Sequence, residues 1–155
     1  MSDIRGKNPV SDFEAIFGRA GRGRSPNGSK QALINKTQHN LTMAKLPIEI
    51  TVLVNQLKQQ ALDIVDESLA IELKVFEQFG ETEQTIAALD EMKNAGEDAA
   101  SAYSQLSTLQ LQIAKIQPDV PSDVLKLLTK VIERTQLRIP ALQRSIQEVQ
   151  QEYQV

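Results

Sequence analysis

LKLLTKVIERTQLRIPALQRSIQEVQQEY, residues 125–153, is the stretch that decides the fold. Leu125, Leu128, Ile132, Thr135, Ile139, Leu142, Ile146, Val149 and Tyr153 follow one another at spacings that alternate between three and four. That is the a/d seam of a helix packed against other helices. All but Thr135 are apolar, and the residues between them are mostly Gln, Arg, Lys, Glu and Ser. A seam held this long serves either a helical core or an interface between copies of the chain. Leu125, Leu128, Ile132, Ile139, Leu142, Ile146, Val149 and Tyr153 are therefore the candidate oligomer-interface positions, for a homodimer or a higher assembly. Pro140 follows Ile139 directly, and an interior proline removes a backbone bond at a cost of about 3 kcal/mol. A kink or break is expected there, and the seam's return in phase at Leu142 favours a kink.

Working back towards the N-terminus, the loop Gln-Pro-Asp-Val-Pro-Ser-Asp over 117–123 separates this helix from the one before it. Ser122 or Asp119 is available to cap the last helix. Before the loop, Leu89, Met92, Gly96, Ala99, Tyr103, Leu106, Gln110 and Ile113 form the seam of a second helix. It is expected to run from Glu81 or Thr82 to about Gln117. Its middle is rich in small residues, which lets helices approach closely, and Gly96 weakens it by about 1 kcal/mol relative to Ala, so that a break could fall there. A first helix is expected from Pro47 to Phe79, with Gly80 as its C-cap. Ile50, Leu57, Ile64 and Ile71 recur every seven residues, with Val54, Ala61 and Val75 alongside. Leu62, Val65, Leu69, Leu73 and Phe76 make a second apolar line, so burial against two neighbours is expected. The fold class that follows is all-α: an elongated coiled-coil body of about three long helices over residues 46–155, built for self-association. Each helix of this size spans roughly 45–50 Å.

Composition agrees. Aromatic residues are only 4% and Trp is absent, so the core is aliphatic. There is no Cys, which excludes disulfides, thiolate metal sites and cysteine nucleophiles. No apolar run approaches the roughly 20 residues that span a bilayer, and MSDIRGKNPV has no signal-peptide core, so a cytoplasmic protein without a membrane is expected. Phosphate-binding loops, dinucleotide glycine motifs, zinc helices and nucleophile elbows are all missing from the sequence. The acidic pairs Asp66-Glu67, Glu81/Glu83, Asp90-Glu91 and Glu97-Asp98 read as solvated helix faces, because a di-metal bundle wants inward Glu-x-x-His repeats and the body has no His. No enzyme activity, metal or cofactor is expected.

Charge is unevenly divided. Residues 1–45 carry eight bases against three acids, or +5, and the remainder carries nine bases against seventeen acids, or −8. Five of the seven glycines fall within the first 28 residues, and GRAGRGRSPNGSK has almost nothing to bury. A flexible basic arm over 1–45 is expected, because such a segment cannot recover the roughly 1–2 kcal/mol per residue that ordering costs. His39, the one histidine, lies in its last part with no partner for metal or catalytic work. One island stands out. Ser11, Asp12, Phe13 and Glu14 have the spacing of a capping box, and Phe13, Ile16 and Phe17 share one helical face before Gly18. This short amphipathic motif, 11–18, either folds back onto the body or orders on a partner.

A basic arm with a few hydrophobic anchors ahead of a glutamine-rich helical body resembles the adaptor partners of ParA-type Walker ATPases. Within that group it is similar to the maintenance-of-carboxysome-distribution protein B (McdB) family. The resemblance implies a non-enzymatic adaptor that links a cargo to a ParA/McdA-type ATPase, stimulates ATP hydrolysis through its arm, and so positions or partitions that cargo. The implied partner-binding positions are Arg5, Lys7, Arg19, Arg22 and Arg24, with Phe13, Ile16 and Phe17 as anchors. The chain departs from the family in ending QEYQV, without the tryptophan that carboxysome adaptors carry near the C-terminus, which leaves a plasmid or another cargo open. Two other classes are the alternatives: a nucleic-acid-binding coiled-coil protein using the Arg/Gly arm, which the acidic body disfavours, and a purely structural scaffold.

Overall fold

The computed structural model describes residues 46–155, which form three long helices and, within that range, no strand. They are α1 (Ile48–Phe79), α2 (Ile86–Lys115) and α3 (Ser122–Tyr153). The connections over 80–85 and 116–121 are short, so consecutive helices lie antiparallel. Side-chain pairs show the register. Lys58 and Asn55 of α1 meet Gln110 late in α2, while Asp98 and Glu91 of α2 meet Arg138 and Ser145 of α3. α1 and α3 then run parallel, and their C-terminal ends meet where Phe79 and Tyr153 stack edge to face at 5.5 Å. The result is an up-down-up bundle about 48 Å long, from 1.5 Å of rise per residue.

Prolines start two of the helices. Pro47 and Pro121 sit at the N-cap positions with φ of −50° and −57°, values their rings impose. Their carbonyls accept the first helical bonds, from Ile50 and Thr51 in α1 and from Val124 and Leu125 in α3. Ser122 is thus the first residue of α3, one place inside the N-cap position, which Pro121 holds. At the other end of α1, Gly80 adopts φ 71° and its N–H closes on Phe76 O at 2.8 Å, as a glycine C-cap should.

α2 begins at Ile86, later than Glu81 or Thr82, and ends at Lys115, short of Gln117. The delay has a local cause. The Thr85 hydroxyl donates to Gly80 O at 2.6 Å and accepts from the Thr82 N–H at 2.9 Å, which ties 80–85 into a turn. Gly96 does not break α2; it is buried inside it, facing α1. Pro140 does not break α3 either. Pro140 itself is exposed, while Ile139 and Leu142 on either side of it are buried, so packing holds the helix on both sides of the lost bond.

The core is aliphatic and drawn from one stripe per helix. In α1 it is Ile50, Val54, Leu57, Ala61, Ile64, Ile71 and Val75; in α2, Leu89, Met92, Ala95, Ala99, Leu106 and Ile113. Leu128, Ile132, Ile139, Leu142, Ile146 and Val149 complete it from α3. Two buried hydroxyls are satisfied locally. Thr135 donates to Val131 O at 2.7 Å, and Ser68 to Val65 O at 3.2 Å. Tyr103 and Gln110 sit half-buried near one end, where the Lys58 ammonium lies 5.2 Å from the Tyr103 ring and donates to Gln110.

The second apolar line of α1 departs from expectation. Leu62, Leu69, Leu73 and Phe76 remain exposed, and Val65 alone of that line packs against the core. A three-helix bundle covers α1 with both neighbours on one stripe. The other stripe is left over.

Candidate functional groove on helices α1 and α2

Leu69, Leu73 and Phe76 of α1 and Ile86 at the start of α2 line an open groove of about 500 Å³. With Leu62 two turns further back along the same line, these side chains are 43% to 55% exposed. Leu89 lies at the base of the groove and is buried. The rim is charged: Glu72, Glu81 and Asp90 contribute carboxylates, and Lys93 a single base among the lining residues. The surroundings are more acidic still. Residues 63–98 hold eleven of the chain's twenty acids against only Lys74 and Lys93, a net charge of −9. α3 supplies Lys126, Lys130, Arg134, Arg138 and Arg144, of which Arg138 pairs with Asp98. An apolar floor inside an acidic field suits an amphipathic segment with basic flanks.

The candidate oligomer-interface residues are all described. Leu128, Ile132, Ile139, Leu142, Ile146 and Val149 are buried against α1 and α2 of the same chain, while Leu125 and Tyr153 pack on the rim of that core. Tyr153 also donates its hydroxyl to Gln84 O at 2.9 Å. The seam is therefore occupied within the chain, and pairing copies through it requires the bundle to open. The sequence pattern is the same for a seam that closes on its own chain and one that closes on another. The basic and anchoring positions Arg5, Lys7, Phe13, Ile16, Phe17, Arg19, Arg22 and Arg24, the motif 11–18 and His39 lie outside the described residues.

Sequence reasoning assigns Leu62, Leu69, Leu73 and Phe76 to a buried face and gives Ile86 no role. The signal that identifies them is the width of the apolar surface on α1, which exceeds what two neighbouring helices cover. Among the described residues no cluster of His, Cys, Asp and Glu is placed to hold a metal ion. No described helix is long and apolar enough to cross a membrane.

No family model matches the chain, and no characterised protein or solved structure shows significant similarity to it.

Proposed function

We propose that this chain is a non-enzymatic adaptor that links a cargo to a ParA-type ATPase, with the helical body as the docking module and the basic residues 1–45 as the activating segment. The observation that carries the docking role is the uncovered apolar line of α1. A bundle that had no further contact to make would gain by keeping charged residues there, since burial-sized side chains left in water contribute nothing to stability. The activating role rests on charge. Phosphoryl transfer builds negative charge on the transferring oxygens, and a guanidinium or ammonium supplied by a partner stabilises it. The +5 charge of residues 1–45 is suited to that task, whereas the acidic body is not.

The test is stimulation of a purified ParA-type ATPase by the full chain and by residues 46–155. The full chain should raise the hydrolysis rate and the shorter chain should not. Equal stimulation by both would remove the arm from the mechanism. Salt-dependent binding to bare duplex DNA without any effect on hydrolysis would move the chain to the nucleic-acid-binding class.

A further inference from the structure

We infer that the groove between α1 and α2 is the docking site of this chain's own segment 11–24, with Phe13, Ile16 and Phe17 on the apolar floor and Arg19, Arg22 and Arg24 against the acidic rim. The inference goes beyond the adaptor reading and does not depend on an ATPase.

Three observations lead to it. The first is chemical fit. The short amphipathic motif predicted over 11–18 carries Phe13, Ile16 and Phe17 on one face, and the groove offers an apolar floor of Leu69, Leu73, Phe76 and Ile86 for such a face. Elsewhere in residues 1–45, no such cluster of aromatic and aliphatic side chains at helical spacing occurs.

The second is charge. The bases that trail the motif would enter the field of Glu72, Glu81 and Asp90, in the most acidic part of the body. Asp12 and Glu14 flank the apolar face of the predicted helix, and Lys93 is the groove base available to them. A second copy of the body is a poorer occupant, because it would bring the same carboxylates to the same rim.

The third is reach. The groove lies around Leu73, about 37 Å along α1 from Ile48. Residues 19–45 span about 40 Å even at a helix's rise and about 90 Å when extended. The motif can therefore arrive at the groove from the start of α1 in the same chain, where its tethering acts as a high local concentration.

The experiment uses the full chain. Because the protein has no cysteine, Ala20→Cys creates a unique attachment point for a nitroxide spin label. Nuclear magnetic resonance signals from the methyls of Leu69, Leu73 and Ile86 should lose most of their intensity, while those of Leu111 and Leu125 at the far end should keep theirs. Adding Phe13→Ala, Ile16→Ala and Phe17→Ala to the labelled chain should restore the groove signals, and these changes leave the sequence of residues 46–155 unaltered. Raising the salt to about 1 M, where the screening length is about 3 Å, should restore them partly. Unbroadened groove signals in the parent chain overturn the inference, as does broadening that survives the triple alanine change. Mixing spin-labelled chain with isotope-labelled chain that carries no nitroxide separates the two remaining arrangements. Groove signals that stay sharp in that mixture support docking within one chain. Broadening there as strong as in the singly prepared chain shows that a second copy's arm fills the groove, and overturns it.

Discussion

The Ser68 hydroxyl lies 2.9 Å from the point that a β-carbon would occupy at Gly96. Ser68 is fully buried on α1 and Gly96 is buried on α2, so a side-chain change at Gly96 probes a tight approach of the two helices. Gly96→Ala should gain about 1 kcal/mol of helix propensity and lose more than that to overpacking, which typically costs about 1–3 kcal/mol. The net change in the parent chain should be destabilising. In a Ser68→Ala background the obstructing oxygen is gone, and Gly96→Ala should become stabilising by about 1 kcal/mol. Urea unfolding of the four proteins closes the cycle. An identical effect of Gly96→Ala in both backgrounds sinks the account.

Thr85 holds the first connection through its hydroxyl, which is bonded to Gly80 O and to the Thr82 N–H and is buried. Thr85→Val keeps the shape and removes both bonds, which should cost about 1–3 kcal/mol because buried polar groups are left without partners. Thr85→Ser should recover most of that loss. A valine variant with an unchanged urea midpoint would show that the turn is held by something else.

Ile132 and Ile146 lie in the core of the single chain, so Ile132→Asp and Ile146→Asp should unfold the body itself. Each buries an unpaired carboxylate or forces its protonation, at several kcal/mol. Leu137→Asp is the control. Leu137 is 79% exposed, and its substitution should leave the helical signal in circular dichroism unchanged. Its stability should stay within about 0.5 kcal/mol of the parent. Aspartate variants at 132 and 146 that stay fully helical and merely change sedimentation would instead place the seam between chains.

How much of the fold is legible in the sequence depends on which physical signal each element rests on. The three helices, the glycine cap at Gly80 and a proline-bounded loop before α3 follow from periodicity and backbone chemistry, which are local; that loop ends at Pro121, two residues before the expected Asp123. The core stripe of α1 is equally readable at Ile50, Leu57, Ile64 and Ile71. What a single sequence does not encode locally is the partner. Leu142 reads the same whether its own chain or a second copy covers it. For the same reason Leu69 and Leu73 read as core, since apolar residues at helical spacing carry no mark of whether a neighbour exists. The late start of α2 depends on one hydroxyl, that of Thr85, whose bonds across the turn compete with the helix.

For the proposed activation of an ATPase, two sets of bases are separable. Arg5→Ala with Lys7→Ala, and Arg19→Ala with Arg22→Ala and Arg24→Ala, leave every core residue untouched. Both proteins should keep the helical content and unfolding midpoint of the parent. Stimulation of hydrolysis should fall sharply in at least one of them. A drop of about tenfold or more is expected if a guanidinium reaches the transferring phosphoryl group, as the roughly 10³–10⁵ attributed to such groups in trans allows. Full stimulation by both variants would show that neither set supplies the activating group.

A groove formed once per chain also has a stoichiometry. It takes one occupant, so whatever external partner uses it binds in competition with segment 11–24 and its observed affinity is scaled by the fraction of chains whose groove is vacant. If about nine in ten chains are closed, a partner binds about tenfold more weakly, equivalent to about 1.4 kcal/mol. The linkage runs both ways. A partner that captures Arg19, Arg22 and Arg24 frees the groove for a second ligand, and a ligand that fills the groove releases those bases. The leftover stripe of α1 thereby makes the chain an exchange point, at which the arrival of one partner sets the terms for the other.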